Sequence, residues 1–394
     1  MVSKVWPFVK ESILEGYRMR FLARERATLE RMLPGLDEAL QDIPLSKLES
    51  DSSPGISLLR ESGGAGLLIP AEYQGKGASA LEAVQIQRAI GSRSPSLAVA
   101  ATMHHFSVSS LVYMAAFGGQ EWLLLEAIAT KNMLLASGFA EGRPDGRILA
   151  PSMDVTVTSE GVRVSGYKRP CSLARSMDLL TVSMRLPAPD GTGDRLAVAL
   201  IPASDPGVTV TPFWSSFVLA GAESDQVRID DVLVPDSLVV LTEVTTDGEL
   251  DDVQTAGFVW FELLMTASYL GAASAIVEQA LASEKSSETA RLKLVSNLGA
   301  AAAAVENIAR QIPRSQSDMA LLADTLLVRY AVQDAIAAVV PAAVELLGGL
   351  RFMSANDIGY LAAAVNGLGF HPPSRGRMAG PLTRHLAGDT LKIA

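Results

Sequence analysis

Cysteine, aromatic residues and basic side chains are all scarce in this sequence of 394 residues. The single cysteine, Cys171, excludes an internal disulfide framework and a cysteine-rich metal site, so we predict no metal and a reducing cytoplasm. The chain has 33 basic residues against 43 acidic ones, without a basic stripe, which argues against a nucleic-acid partner. Charged residues interrupt the apolar runs, so we predict neither a signal peptide nor a membrane span.

The residues that are abundant favour helices. Hydrophobic residues make up 48% of the chain but aromatic ones only 6%, and Ala, Leu and Val supply most of the difference. Such a composition is typical of closely packed helices. The length exceeds that of one ordinary hydrophobic core, so we expect two or three domains with extensive interfaces.

The hydrophobic period changes twice along the chain and divides it into three blocks. Apolar residues recur at spacings of three and four over 1–134, which predicts an N-terminal all-α domain. Over 135–238 the period becomes two, with turn residues between the runs, which predicts an antiparallel β-barrel or sandwich. Helical spacing returns over 239–394 and predicts a C-terminal four-helix bundle. The predicted fold class is therefore α+β and multidomain.

Five stretches in this order carry a family resemblance. They are GLLIPAEYQGKGAS (66–79), GFAEG (138–142), VSGYKRPCSLARSMDLLTVSMRL (164–186), VRIDDVLVP (227–235) and ELLGG (345–349). Their order and spacing resemble the acyl-CoA dehydrogenase superfamily of flavoenzymes. The resemblance covers roughly residues 55 to 370 and implies the same three-part fold, a dimer or tetramer, and a flavin between the β domain and the bundle.

The resemblance also implies where a flavin would bind. Residues near the ring are expected at Phe139, Glu141, Cys171 and Ser172, and the cofactor is expected to be FAD. From the residues alone, Ser172 could be a turn residue and Cys171 a small buried hydrophobe. The diphosphate-binding segment of relatives is replaced by EKSSETARLKLVSNLG (284–299), in which Arg291 is the plausible substitute. Because this segment is altered, the sequence leaves open whether a flavin is bound tightly, bound transiently or absent.

The catalytic glutamate that relatives carry near the end of the chain is absent. His371 or Phe370 falls nearest its position, and an imidazole titrates close enough to neutrality to act as a base. The alternative is that His371 only ends a helix before two prolines. Glu262, on the first bundle helix, is a second candidate base; the alternative is that it is a boundary or interface carboxylate. His104 or His105, in TMHHF, is a third candidate, although adjacent helical residues point about 100° apart.

Three hypotheses from different classes follow. The first is α,β-desaturation of an acyl thioester, free or carrier-protein-bound, by an unconventional base, and the family fold places it narrowly first. The second is a flavin-dependent monooxygenase of a specialised metabolite, in which a flavin C4a-hydroperoxide forms in a water-excluding pocket without a carboxylate base. The third is a flavin-free, non-redox homologue. The apolar bundle helices further predict a homodimer or homotetramer.

Overall fold

A computed structural model describes residues 21–143, 149–188, 191, 193–244, 250–283, 287–312 and 319–393. In these ranges helices come first, two β-sheets follow, and helices return, which confirms the predicted fold class. Residues 1–20 of the predicted N-terminal domain lie outside the described ranges. The predicted boundaries at 134 and 238 stay predictions.

The N-terminal part is helical. Its helices are α1 (Ala23–Met32), α2 (Leu36–Gln41), α3 (Leu45–Leu48), α4 (Gly55–Glu61), α5 (Ala80–Arg93), α6 (Pro95–Ala115) and α7 (Glu121–Lys131). Helix α5 begins with a capping box, because the Ser79 hydroxyl and the Glu82 carboxylate each accept from the other residue's backbone N–H. Helix α6 begins with Pro95 behind the capping Ser94. The glycine-dense stretch before α5 forms a loop, where a Cβ at Gly75 would lie 2.0 Å from the Ile69 carbonyl oxygen.

The middle part holds two four-stranded sheets. The strands are β1 (Leu135–Gly138), β2 (Asp154–Thr158), β3 (Gly161–Cys171), β4 (Leu179–Pro187), β5 (Asp194–Pro202), β6 (Val208–Thr211), β7 (Asp225–Val234) and β8 (Val239–Leu241). One sheet has the order β1-β4-β5-β8 and the other β2-β3-β7-β6. The β1–β4 pair is parallel and the remaining pairs are antiparallel. Buried and exposed side chains broadly alternate along β7, as the period of two predicts.

The C-terminal part is helical again. Its helices are α8 (Asp252–Ala282), α9 (Glu288–Gln311), α10 (Met319–Leu347), α11 (Gly349–Ser354), α12 (Asn356–Ala364) and α13 (Arg375–Leu386). Helix α8 lies at the centre and packs against α5, α6, α9 and α10. Helices α5 and α8 approach closely at two glycines, since a Cβ at Gly91 would lie 2.2 Å from the Ser268 carbonyl oxygen and one at Gly271 2.3 Å from that of Arg88.

Two described helices, α8 and α10, are long and apolar enough to cross a membrane by length and composition alone. The apolar window of α8 is 94% buried, as in the core helix of a soluble protein, whereas that of α10 is 33% buried. The cytoplasmic location and the dimer or tetramer stay predictions.

Candidate active site

A cavity of about 210 Å³ opens where the β-sheets meet helices α6 and α8. Aromatic, aliphatic and hydroxyl side chains form its walls, including Phe106, Phe139, Ser172, Trp214, Phe261 and His371. Among the described residues that line it there is no Asp, Glu, Lys or Arg. This cavity brings together three of the residues that the sequence nominated: Phe139, Ser172 and His371.

Phe139 and Ser172 reach the cavity because two strands end beside it. Strand β1 ends at Gly138 and β3 at Cys171, so each of these side chains belongs to the first residue past a strand. The Ser172 hydroxyl lies 2.9 Å from that of Ser224, which also lines the cavity. Leu173 adopts a left-handed backbone (φ 65°) while fully buried, a conformation that leucine rarely takes and that ordered surroundings must hold.

The wall formed by these residues suits a flat, mostly apolar heterocycle. Phe139 and Trp214 supply aromatic rings, and the Ser172–Ser224 pair, in which one hydroxyl donates to the other, leaves one hydroxyl hydrogen for its polar edge. An isoalloxazine ring has this character, so the side chains present are compatible with a flavin.

Glu141 does not line the cavity, contrary to the expectation for this position. Its carboxylate accepts from the fully buried ammonium of Lys168 at 2.9 Å, from Arg143 at 2.8 Å and from the Ser152 amide at 2.9 Å. Burial raises the pKa of the Glu141 carboxyl, but the hydrogen bonds from Lys168 and Ser152 and the charge of Lys168 outweigh it and hold that pKa below its usual value. Burial also lowers the pKa of Lys168 to about 8 despite Glu141. Glu141 therefore links strand β3, through Lys168, to Arg143 and Ser152.

Cys171 is fully buried and also lies outside the cavity lining. Its Sγ is 3.7 Å from the Ser137 carbonyl oxygen on β1, and burial raises the pKa of the thiol to about 12. The alternative interpretation of Cys171 as a small buried hydrophobe describes this environment. Flavin contacts at Cys171 and Ser172 stay predictions.

Arg291 lies on the first turn of α9, and its guanidinium donates to the Ser283 carbonyl at the end of α8. This contact ties two helix ends together and occupies part of the guanidinium. A diphosphate role for Arg291 stays a prediction, and part of its segment (284–286) lies outside the described residues.

His371 lines the cavity and is fixed by aromatic neighbours. Its Nε2 lies 2.8 Å from the Tyr269 hydroxyl oxygen, and its ring centroid is 5.5 Å from that of Tyr269 and 6.4 Å from that of Phe261. Burial, and then the positive charge of Arg329, lower the pKa of His371 to about 3. The imidazole is therefore neutral at physiological pH.

Glu262 is fully buried and faces away from the cavity, which is lined by its neighbour Phe261. One residue turns an α-helix by about 100°, so Phe261 and Glu262 cannot both face the same side. The carboxylate instead forms an ion pair with Arg329 of α10, which also donates to the carbonyl oxygens of Leu368 at 2.8 Å and His371 at 2.5 Å. Burial raises the pKa of Glu262 to about 7 although Arg329 opposes it. The geometry gives Glu262 a supporting position rather than that of a base facing substrate.

His104 and His105 are fully buried and do not line the cavity. The Leu135 amide donates to Nδ1 of His104 at 3.0 Å, so Nε2 carries the hydrogen and donates to the Ala65 carbonyl at 2.9 Å. Burial lowers the pKa of His104 to about 4 and that of His105 well below its usual value. With both ring nitrogens engaged by backbone, His104 joins α6 to β1 and to the α4–α5 loop; it is not placed for catalysis.

Several cavity residues were missed by sequence reasoning. Phe261 shares a helix face with two other lining residues, Gly257 and Phe258, and that spacing could have identified it. Trp214 and Ser224 lie in an irregular segment between β6 and β7, where no sequence period predicts which way a side chain points. Arg329, which lies outside the cavity lining and pairs with Glu262, was also missed, because nothing but its place in an apolar helix marked it.

No family model matches the chain. The isobutylamine N-hydroxylase of Streptomyces viridifaciens is 44% identical over 380 residues, which cover 95% of this chain and 100% of that protein. The structure of FMN-bound TdsC from Paenibacillus sp. A11-2 is similar with a TM-score of 0.77 and 18% identity, covering 94% of this chain and 99% of that one. The FAD complex of PigA is similar with a TM-score of 0.75 and 15% identity, covering 92% and 96%.

Proposed function

Because the chain belongs to the acyl-CoA dehydrogenase superfamily of flavin enzymes, together with isobutylamine N-hydroxylase, we propose that it is a monooxygenase that hydroxylates the nitrogen of a small primary amine. The family membership makes it a flavin-dependent oxidoreductase. The amine, the oxygen transfer and the choice of flavin are proposals.

The uncharged lining of the cavity is the observation that carries the amine proposal. An alkylamine is mostly a cation in neutral water, but only its neutral form has the lone pair needed to attack an electrophilic oxygen. A cavity whose described lining has no carboxylate offers the cation no counter-charge, and its apolar walls remove water. Such a cavity selects the neutral amine, which is the nucleophile.

His371 is proposed to orient that amine. In the tautomer in which Nε2 carries the hydrogen and donates to the Tyr269 hydroxyl, Nδ1 keeps a lone pair that can accept an N–H of the amine. Among the described residues, Nδ1 has no hydrogen-bond partner. A pKa of about 3 makes the imidazole a weak base, so we assign it orientation of the nitrogen and not proton storage.

The side chains of Phe139, Ser172 and Trp214 are proposed to hold the flavin ring. A bound reduced flavin supplies two electrons and one oxygen atom from dioxygen for the transfer. The apolar side chains of α6 and α8, such as Met103, Phe106 and Phe261, keep bulk water from the reacting atoms. FAD remains the proposed flavin and FMN the alternative, since similar folds are known with either one.

Thioester desaturation has less support in this site. It needs a carboxylate or another strong base beside the α-carbon, and Glu262 is engaged by Arg329 behind the wall. His371, with its low pKa, is a poor substitute. The flavin-free hypothesis finds no support in the cavity or in the family.

The test is turnover under air with FAD or FMN, a separate NADH-dependent flavin reductase, catalase, and isobutylamine or a homologous amine. We expect a hydroxylamine that carries label from isotopic dioxygen. Omitting the reductase should abolish the product. Anaerobic reduction of a bound flavin by an acyl thioester, with an enoyl product and no hydroxylamine under air, would establish desaturation instead.

A further inference from the structure

The segment between β6 and β7 forms part of the cavity wall in an unfavourable conformation. Trp214 and Leu219 from this segment line the cavity, and the Trp214 indole N–H donates to the Val218 carbonyl at 2.8 Å. Leu219 is left-handed (φ 63°), which a leucine adopts only when its surroundings impose it. The structure must therefore contain a contact that holds Leu219 in place.

That contact comes from the C-terminal helix α12. The hydroxyl oxygen of Tyr360 accepts the backbone N–H of Leu219 at 2.9 Å. The ring of Tyr360 also packs edge-on against Phe217, with centroids 6.1 Å apart, and Phe217 is still 70% exposed with this contact made. Tyr360 thus holds the wall segment by both its hydroxyl and its ring.

Tyr360 is itself held by a buried carboxylate of the N-terminal part. Its hydroxyl donates to Glu49, which is only 4% exposed. Glu49 also accepts from the Ser94 hydroxyl at 2.5 Å and from the Ser96 hydroxyl at 2.6 Å, at the start of α6. None of these residues lines the cavity, so Tyr360 acts on it through the wall segment, by its hydrogen bond to Leu219 and its ring contact with Phe217.

We propose that Glu49 and Tyr360 are positioning residues that fix Leu219 and thereby set the size of amine that the cavity accepts. The substrate class in this statement rests on the proposed function, but the contact itself does not. The three parts of the fold meet at the Tyr360 hydroxyl, which accepts from the Leu219 N–H and donates to Glu49. Once that N–H loses its acceptor, the left-handed residue can relax and the wall beside the substrate can move.

The contact is tested by hydrogen exchange in Tyr360→Phe, which keeps the ring and removes the hydroxyl. We expect peptides spanning 213–222 to exchange roughly tenfold faster, because a buried N–H loses its partner. Tyr113→Phe is the matched control, since Tyr113 is buried against Phe117 outside the cavity lining, and there the segment should exchange as in the wild type. Unchanged exchange in Tyr360→Phe would overturn the contact.

The effect on selectivity is tested with a series of amines of increasing bulk. In Tyr360→Phe we expect the preference in kcat/KM for the best small amine over a bulkier one to fall roughly tenfold, mainly through KM. Faster exchange with an unchanged preference would refute the specificity role. If the wild type hydroxylates no amine, the proposed function fails while the exchange result still decides the contact. Glu49→Gln, which keeps the shape of the carboxylate, is the second variant if Tyr360→Phe does not fold, and it should shift both readouts in the same direction.

Discussion

Arg329→Met removes a buried cation and puts an apolar side chain in its place. Arg329 and Glu262 are both 0% exposed, and Oε1 of Glu262 already has no hydrogen-bond partner among the described residues. After the substitution, the carboxylate loses its counter-ion and the Leu368 and His371 carbonyls lose a donor. Removing one partner of a buried ion pair costs about 3–5 kcal/mol, because the other charge stays buried and uncompensated.

The expected shift in melting temperature follows from the length of the chain. Unfolding entropy near 2.1 cal/mol/K per residue gives roughly 0.8 kcal/mol/K for 394 residues, so a loss of about 4 kcal/mol lowers the Tm by about 5 °C. Calorimetry at pH 8 measures this shift. The double variant Arg329→Met with Glu262→Met should recover part of it, because no charge then remains buried. A Tm within about 1 °C of the wild type in Arg329→Met would refute the uncompensated-charge argument.

Further outcomes concern pH, the site and the thiol. The pKa of Glu262 is about 7 in the folded protein against an ordinary 4.5, so this carboxyl's contribution to stability is fully present below about pH 4.5 and is lost as pH rises through 7. In Glu262→Gln, the free energy of unfolding measured across that range should lack this fall with pH. His371→Ala should lower the hydroxylation rate by about 10–100-fold and release hydrogen peroxide, and His371→Gln should retain more activity. Between pH 5.5 and 8.5, about where an ordinary imidazole titrates, the pH profile of kcat should have the same shape in both variants as in the wild type, because the pKa of His371 is about 3. Ser172→Ala should weaken flavin binding by about tenfold in fluorescence titration, and undiminished affinity would remove Ser172 from the flavin site. Cys171, with a thiol pKa of about 12, should resist iodoacetamide at pH 8 until the chain is unfolded in denaturant, and rapid labelling of the native protein would contradict its burial.

The sequence alone determined the order of element types. A period of 3.6 or 2 is a local property, because it depends only on which side chains one helix face or strand face must bury. The three blocks could therefore be recognised without contacts between distant residues. The five family stretches, in order, identified the superfamily, and Phe139, Ser172 and His371 were placed near one site on that basis.

The tertiary structure decided which of the candidate residues face the cavity. Phe261 and Glu262 are neighbours in sequence, yet a rotation of about 100° on α8 points one into the cavity and the other towards Arg329. The Ser172–Ser224 pair joins residues 52 positions apart, and no period predicts a contact that depends on where β3 ends and β7 begins. Burial decided the protonation of His371 and the role of His104, because the pKa of an imidazole depends on the water and charge around it and not on its neighbours in sequence.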